Sequence, residues 1–82
     1  VMLDKDFFDY LMAHLSLAVG PIAQVLIEDE VENLGCELSR FPGHRVAELI
    51  DKLAQEIRRE EKKNEFIEKM AAKIREKKYL PA

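Results

Sequence analysis

Apolar side chains recur every three or four residues in four stretches of the chain, which is the spacing of amphipathic α-helices. Three of these stretches place their apolar residues on one face: Phe7, Phe8, Leu11, Met12, Leu15 and Ala18; Val46, Leu49, Ile50, Leu53 and Ile57; and Phe66, Ile67, Met70 and Ile74. No stretch alternates as a β-strand would. The pattern predicts an all-α fold, a compact bundle of about four short amphipathic helices.

The fourth stretch, residues 20–35, carries the clearest start and stop signals. Gly20 fits an N-cap, Pro21 the first helical position, and Gly35 a left-handed residue after the last turn. Only one polar residue interrupts the run Ile22–Ile27, so this half is predicted to be packed on nearly all sides. The acids of residues 28–32 follow, so the second half of this helix is expected to emerge into solvent.

Other helix boundaries are marked less strongly. Asp4 is a suitable N-cap for the first helix, and Pro42 fits the start of the third. The charged run 58–63 either continues the third helix or separates it from the fourth, and Asn64 favours a break because it is a good N-cap. The sequence Tyr79-Leu80-Pro81 is expected to end the fourth helix.

Length and composition predict one helical domain over residues 1–82. The chain is 48% hydrophobic and 35% charged, as expected of a folded helical domain. A single cysteine, Cys36, excludes an internal disulfide and favours a reducing, cytoplasmic environment. No apolar run approaches 18 residues, so neither a transmembrane helix nor a membrane partner is expected. Because it begins with Val1-Met2, the chain is also compatible with a fragment of a larger signalling protein.

Charge is distributed unevenly along the chain. Residues 1–50 hold three basic and nine acidic residues, a net charge of −6, whereas residues 51–82 hold ten basic and seven acidic residues, a net charge of +3. Nucleic-acid binding by the basic C-terminal helix is therefore the alternative function, through Lys62, Lys63, Lys73, Arg75, Lys77 and Lys78. The acidic first half argues against it, because phosphate contacts dominate such binding.

Chemistry-bearing residues are sparse. His14, Cys36 and His44 stand apart, without the spacing of a metal site, and no glycine-rich phosphate loop is present. A catalytic role would require a pocket that pairs Cys36 with His44 as nucleophile and base. We therefore expect no metal, no cofactor and no enzymatic activity.

The segment from His14 to Ile27, with Gly20-Pro21-Ile22-Ala23 at its centre, resembles a small bacterial helical domain without assigned activity. The resemblance continues through the amphipathic helix 46–57 to Phe66 and covers roughly residues 11–70. That domain is usually found at the C-terminal end of serine/threonine kinases and other signalling proteins. The resemblance implies an accessory or interaction role and provides no catalytic residues.

The helices carry more apolar stripes than one small core requires, and the spare surface is expected on the first, third or fourth helix. We therefore predict a non-catalytic protein-interaction or dimerisation module in bacterial signalling, which buries this excess surface against a protein partner or a second copy. The candidate interaction residues are Phe7, Tyr10, Leu17, Phe66 and Met70.

Overall fold

The computed structural model describes residues 2–79, and within them it contains helices and turns but no β-strand, which confirms the all-α class. The α-helices are α1 (Lys5–Val19), α2 (Ala23–Asn33), α3 (Val46–Ala54) and α4 (Glu60–Lys77). Short 3₁₀ turns lie at Gly20–Ile22, Leu38–Arg40 and Gly43–Arg45. The predicted terminators Leu80 and Pro81 lie outside the described residues.

The junction between α1 and α2 changes the helix count. The 3₁₀ turn joins α1 directly to α2 without a break. Within residues 2–79 the α-helices therefore form three separate segments, 5–33, 46–54 and 60–77, rather than the predicted four or so. The joined run Lys5–Asn33 contains 29 residues, and a straight helix of that length would extend about 43 Å. Because the longest dimension of the molecule is 31 Å, the run must turn back on itself.

Gly20 makes this turn. Its φ of 82° and ψ of −153° lie in a backbone region that is essentially restricted to glycine. Gly20 ends α1, with its N–H donating to the carbonyl of Ser16, and α2 begins three residues later at Ala23. The prediction that Gly20 is the N-cap of α2 is therefore wrong, because a 3₁₀ turn comes before the α-helix.

Two other predicted caps are confirmed. Asp4 accepts a hydrogen bond from the backbone N–H of Phe7 at 2.8 Å and caps α1. Gly35 has a φ of 75° and follows α2. Its N–H donates to Glu32, and the next N–H donates to Val31, which is the Schellman arrangement.

The break between α3 and α4 falls earlier than the sequence indicated. Residues 55–59 are not α-helical, so α3 and α4 are separate helices. α4 begins at Glu60, however, and the predicted N-cap Asn64 therefore lies inside the helix. Glu60 and Glu61 fill the first turn, where the helix dipole favours acidic side chains.

The core lies where α1 packs against α2 and α4, and where α3 packs against the same two helices. The apolar faces predicted for these helices supply it with two exceptions: Ile67 of α4 is 41% exposed, and α2 buries only one face, formed by Ala23, Ile27 and Val31. Ile22 and Val25 on the other side are each 55% exposed. The prediction of near-complete packing for Ile22–Ile27 is wrong because α2 lies on the outside of the bundle.

The run Lys5–Asn33 is also long and apolar enough to cross a membrane, judged by length and composition only. This contradicts the expectation that no stretch would meet that criterion. In the fold the run is bent at Gly20, and 22% of its apolar window is buried. Much of this apolar stretch is thus at the surface of the domain, where Leu17, Ile22 and Val25 are exposed.

Candidate interaction surface

The predicted interaction residues do not form one surface. Phe7 and Met70 have no exposed area, and Phe66 is 2% exposed. Phe7 packs edge-to-face against Tyr79 with ring centroids 5.4 Å apart. The structure thus places these three predicted residues in the domain's own core rather than on its surface.

Tyr10 and Leu17 are not among the buried residues of α1. Tyr10 is half-buried: its ring centroid is 4.3 Å from that of His14, and the ammonium of Lys73 lies 4.8 Å above it. Leu17 is 71% exposed. Of the five candidates, only Leu17 presents most of its apolar side chain to solvent.

Three exposed apolar residues, Leu17 among them, flank the turn between α1 and α2. We call Leu17, Ile22 and Val25 the apolar corner; their exposed fractions are 71%, 55% and 55%. Leu17 lies in the last turn of α1, whereas Ile22 and Val25 lie just after Gly20, where α2 begins. Within residues 2–79, six large hydrophobic side chains are exposed, and the corner contains three of them. The other three are Met2, Leu38 and Ile67.

A basic edge borders the apolar corner on one side. A cavity of about 440 Å³ is lined by apolar atoms of α1 and α2 and by the loop before α4: Ala18, Val19, Ile22, Leu26, Glu56, Arg58 and Arg59. A smaller pocket brings Lys62 close to His14 and Leu17. Arg58 and Arg59 are exposed, so this side of the corner offers positive charge beside apolar surface.

An acidic edge borders the corner on the other side. Glu28, Asp29 and Glu32 continue the exposed face of α2 beyond Val25. Glu28 accepts a hydrogen bond from the side-chain amide of Gln24 at 3.1 Å. The apolar corner therefore lies between a basic loop and an acidic helix face.

Two further depressions are less distinctive. A cavity of about 250 Å³ between α3 and α4 is lined mainly by Ala47, Ile50, Ile67, Ala71 and Ile74, with Asp51 and Arg75 at its edge. Ile67 is its one large exposed apolar residue, at 41%. The other, of about 480 Å³, lies between α1, α2 and the turn at Leu38, which is 38% exposed. Neither gathers several exposed apolar residues as the corner does.

The opposite end of α1 is occupied by ion pairs. The ammonium of Lys77 lies 3.1 Å from Asp4 and 3.0 Å from Asp6, and Lys73 lies 3.5 Å from Asp6. The hydrogen bond from Lys77 lowers the pKa of Asp6. The pKa of Asp4 is also lowered, mainly by the hydrogen bond from the Phe7 N–H and to a smaller extent by Lys77. Hydrogen bonds to Asp6 and Asp4 raise the pKa of Lys77. This cluster ties α4 to the start of α1.

Cys36 and His44 are not arranged as a nucleophile and base. The thiol of Cys36 contacts the Leu34 carbonyl at 3.6 Å and the guanidinium of Arg45 at 3.4 Å. Among the described residues, no hydrogen bond joins Cys36 to His44, and His44 is exposed. Within residues 2–79 there is also no group of three or more His, Cys, Asp or Glu side chains suited to a metal ion.

The family model of a domain of unknown function, DUF8082, matches residues 6–79. The chain belongs to the DUF8082 family. This match spans α1 to α4 and so extends beyond the roughly 11–70 covered by the resemblance noted in the sequence. Comparison with curated proteins gives no match. Comparison with solved structures gives none either.

Sequence reasoning missed most of the apolar corner of this DUF8082 domain. Ile22 and Val25 were assigned to the core because they lie in a nearly continuous apolar run. The spacing alone does not separate them from Ala23, Ile27 and Val31, because the side of α2 that is buried is set by its packing against α1 and α3. Arg58 and Arg59 were read only as part of a charged run, although they border the corner.

Proposed function

We propose that this DUF8082 domain is a non-catalytic protein-interaction module that binds through its apolar corner. The supporting observation is that Leu17, Ile22 and Val25, on the two sides of the Gly20 turn, are each more than half exposed. Exposed apolar surface of this kind, bordered by charged residues, is typical of protein-binding sites. Binding would remove these side chains from water while the charged edges select the partner.

The biological setting of the proposal is cytoplasmic signalling in bacteria. It rests on the resemblance to helical domains appended to serine/threonine kinases and other signalling proteins. In such a protein, a small domain with one apolar surface would bring two chains, or a chain and its partner, together. The catalytic work would then belong to other domains.

Nucleic-acid binding has less support. Of the six basic residues that would carry it, Lys73 and Lys77 are engaged with Asp4, Asp6 and Glu76 in ion pairs. Those acids reduce the positive potential at the C-terminal end of α4. A salt-dependent mobility shift with duplex DNA that is lost in Lys63→Glu/Arg75→Glu would favour this alternative over the corner.

The decisive experiment compares a corner variant with a matched control. Ile22→Glu places one negative charge on the corner, and Ile67→Glu places the same charge on the exposed residue of the α3–α4 groove. For each protein, the molar mass in solution and the proteins retained from an extract of the source organism are measured. We expect self-association or partner retention by the wild type and Ile67→Glu, and loss of both in the corner variant.

Circular dichroism and the thermal midpoint must show that the corner variant is folded, which its exposed position leads us to expect. The proposal fails if a folded corner variant has the same molar mass and retains the same proteins as the wild type. Corner-dependent binding to lipid vesicles, without any protein association, would also overturn it in favour of a membrane surface.

A further inference from the structure

We infer that the occupant of the apolar corner is a second copy of this chain, packed with its α2 antiparallel to the first α2 around a two-fold axis. This inference rests on the proposed function and names its partner. It is argued from the pattern of α2, from the charges beside the corner and from the groups that these charges contact.

The outer face of α2 has the pattern of a helix–helix seam. Ile22, Val25, Leu26 and Asp29 recur at i, i+3, i+4 and i+7, so they lie along one side of the helix. Ile22 and Val25 are exposed and Leu26 is half-buried. A partner helix lying along this side would cover Ile22, Val25 and Leu26 at once.

An antiparallel arrangement makes the charges complementary. With the axis between Val25 and Leu26, Ile22 of one copy faces Asp29 of the other. In each copy Arg58 and Arg59 line the same cavity as Ile22. Asp29 of the second copy would therefore approach the two guanidinium groups, and the symmetry would repeat this contact on the other side. A parallel arrangement would instead place Asp29 against Asp29.

The groups required for these contacts are available. Among residues 2–79, neither Asp29 nor Arg58 has an ion-pair partner within 4.0 Å. Arg59 contacts Glu61 at 3.0 Å, but both side chains are largely exposed, so this pair is easily exchanged. Glu56 lines the same cavity, and the two arginines leave a net charge of +1 there.

The expected dimer is weak. Stable interfaces bury about 800 Å² of each partner, whereas the corner is formed by one helix turn and its two charged edges. The association should therefore depend on protein concentration and weaken as salt screens the exposed charge pairs. Such an affinity suits a module that two linked signalling chains bring together.

A charge-exchange experiment tests the arrangement. Sedimentation equilibrium of the wild-type domain, 9.5 kDa as a monomer, should show a reversible dimer as concentration rises. Asp29→Lys alone and Arg58→Glu/Arg59→Glu alone each create two repulsive contacts. Each variant should therefore raise the dissociation constant of the dimer about tenfold or more. An equimolar mixture of the two variants should dimerise again, because their heterodimer restores one contact and retains the other.

Asp51→Lys is the control, because it makes the same charge change in the α3–α4 groove and should dimerise like the wild type. The inference is overturned if the wild type stays monomeric, if either reversed variant dimerises normally, or if the mixture stays monomeric. A monomeric wild type that still retains another protein through the corner would leave the proposed function standing and remove only the second copy.

Discussion

The two ends of α1 meet the rest of the molecule in opposite ways. At the N-terminal end, Phe7 is fully buried against Tyr79, and the Tyr79 hydroxyl accepts a hydrogen bond from the backbone N–H of Asp4 at 3.1 Å. At the C-terminal end, Leu17 is 71% exposed beside a turn whose apolar residues lack such cover. The first end therefore stabilises the domain, and the second is the end that remains available for binding.

The charged residues near the two ends of α1 also differ, because those at the first end are paired within the domain and Arg58 near the second end is not. Lys73 and Lys77 of α4 contact the acids at the start of α1, and this contact joins the two ends of the described chain. Near the other end, Arg58 is exposed without an acidic partner within 4.0 Å in the part of the chain that the structure describes. Charges whose partners lie within the domain support the fold, whereas unpaired charges beside apolar surface can select a partner.

Substitution of Phe7 should give the largest difference between the two ends. Phe7→Ala removes a fully buried ring and is expected to lower the free energy of unfolding by about 3–5 kcal/mol, enough to unfold much of a domain this small. Leu17→Ala, the control at the exposed end, should change it by less than about 0.5 kcal/mol. Urea denaturation measures both. Equal effects would contradict the division between a stabilising and an available end.

The turn at Gly20 should be the next most sensitive position. Gly20→Ala is expected to cost about 1–3 kcal/mol, because its φ and ψ are restricted essentially to glycine. An added Cβ would have no atom within 4 Å, so the cost is conformational rather than steric. Gly35→Ala, at a left-handed φ of 75°, is the comparison and should cost less, about 1 kcal/mol. A neutral Gly20→Ala in thermal unfolding would show that this turn is not fixed by its backbone.

The sequence predicted the all-α class and the buried faces of α1, α3 and α4, because helical spacing is a local property. It also predicted the caps Asp4 and Gly35, whose signals lie within one turn of the helix end. The exposed side of α2 was not predictable in this way. Which of its apolar residues are buried depends on the direction in which the chain leaves Gly20, and that is set by contacts with α1 and α3.

The predicted interaction residues show the same limit. The sequence predicts Phe7, Phe66 and Met70 as surplus apolar surface, but α4 packs against both α1 and α3 and all three residues are buried. Only the distribution of burial over the folded molecule separates them from Leu17. The candidate surface therefore required the structure, although its apolar and charged residues are all visible in the sequence.

The C-terminal end of α4 should give a smaller effect, in the stabilising direction. Lys78 has a left-handed φ of 59°, and Tyr79 donates its N–H to Ile74 as in a Schellman motif. Lys78→Gly removes the Cβ strain and should raise the free energy of unfolding by about 1 kcal/mol. Lys78→Ala, which loses the charge and keeps the strain, is the control. A similar gain in both variants would assign the effect to charge.

The ion pairs at the first end of α1 should produce the smallest effect, visible as a pH dependence. Because the pKa of Asp6 is lowered in the folded state, its stabilising contribution is present above the unfolded pKa of about 4 and is lost as pH falls through the lower folded value. The raised pKa of Lys77 preserves its contribution up to the alkaline range. Asp6→Asn should therefore flatten the fall of the thermal midpoint below about pH 4.

Asp9→Asn provides the matched control for that titration. Asp9 pairs with Lys5 one turn away in α1, so its loss leaves the contact between α1 and α4 unchanged. If Asp6→Asn and Asp9→Asn have the same acid dependence, the bridge to Lys77 adds nothing beyond a surface charge. If only Asp6→Asn alters the acid dependence of the thermal midpoint, the bridge to Lys77 stabilises the fold. If, in addition, neither variant changes self-association, ion pairing at one end of α1 does not affect binding at the other end.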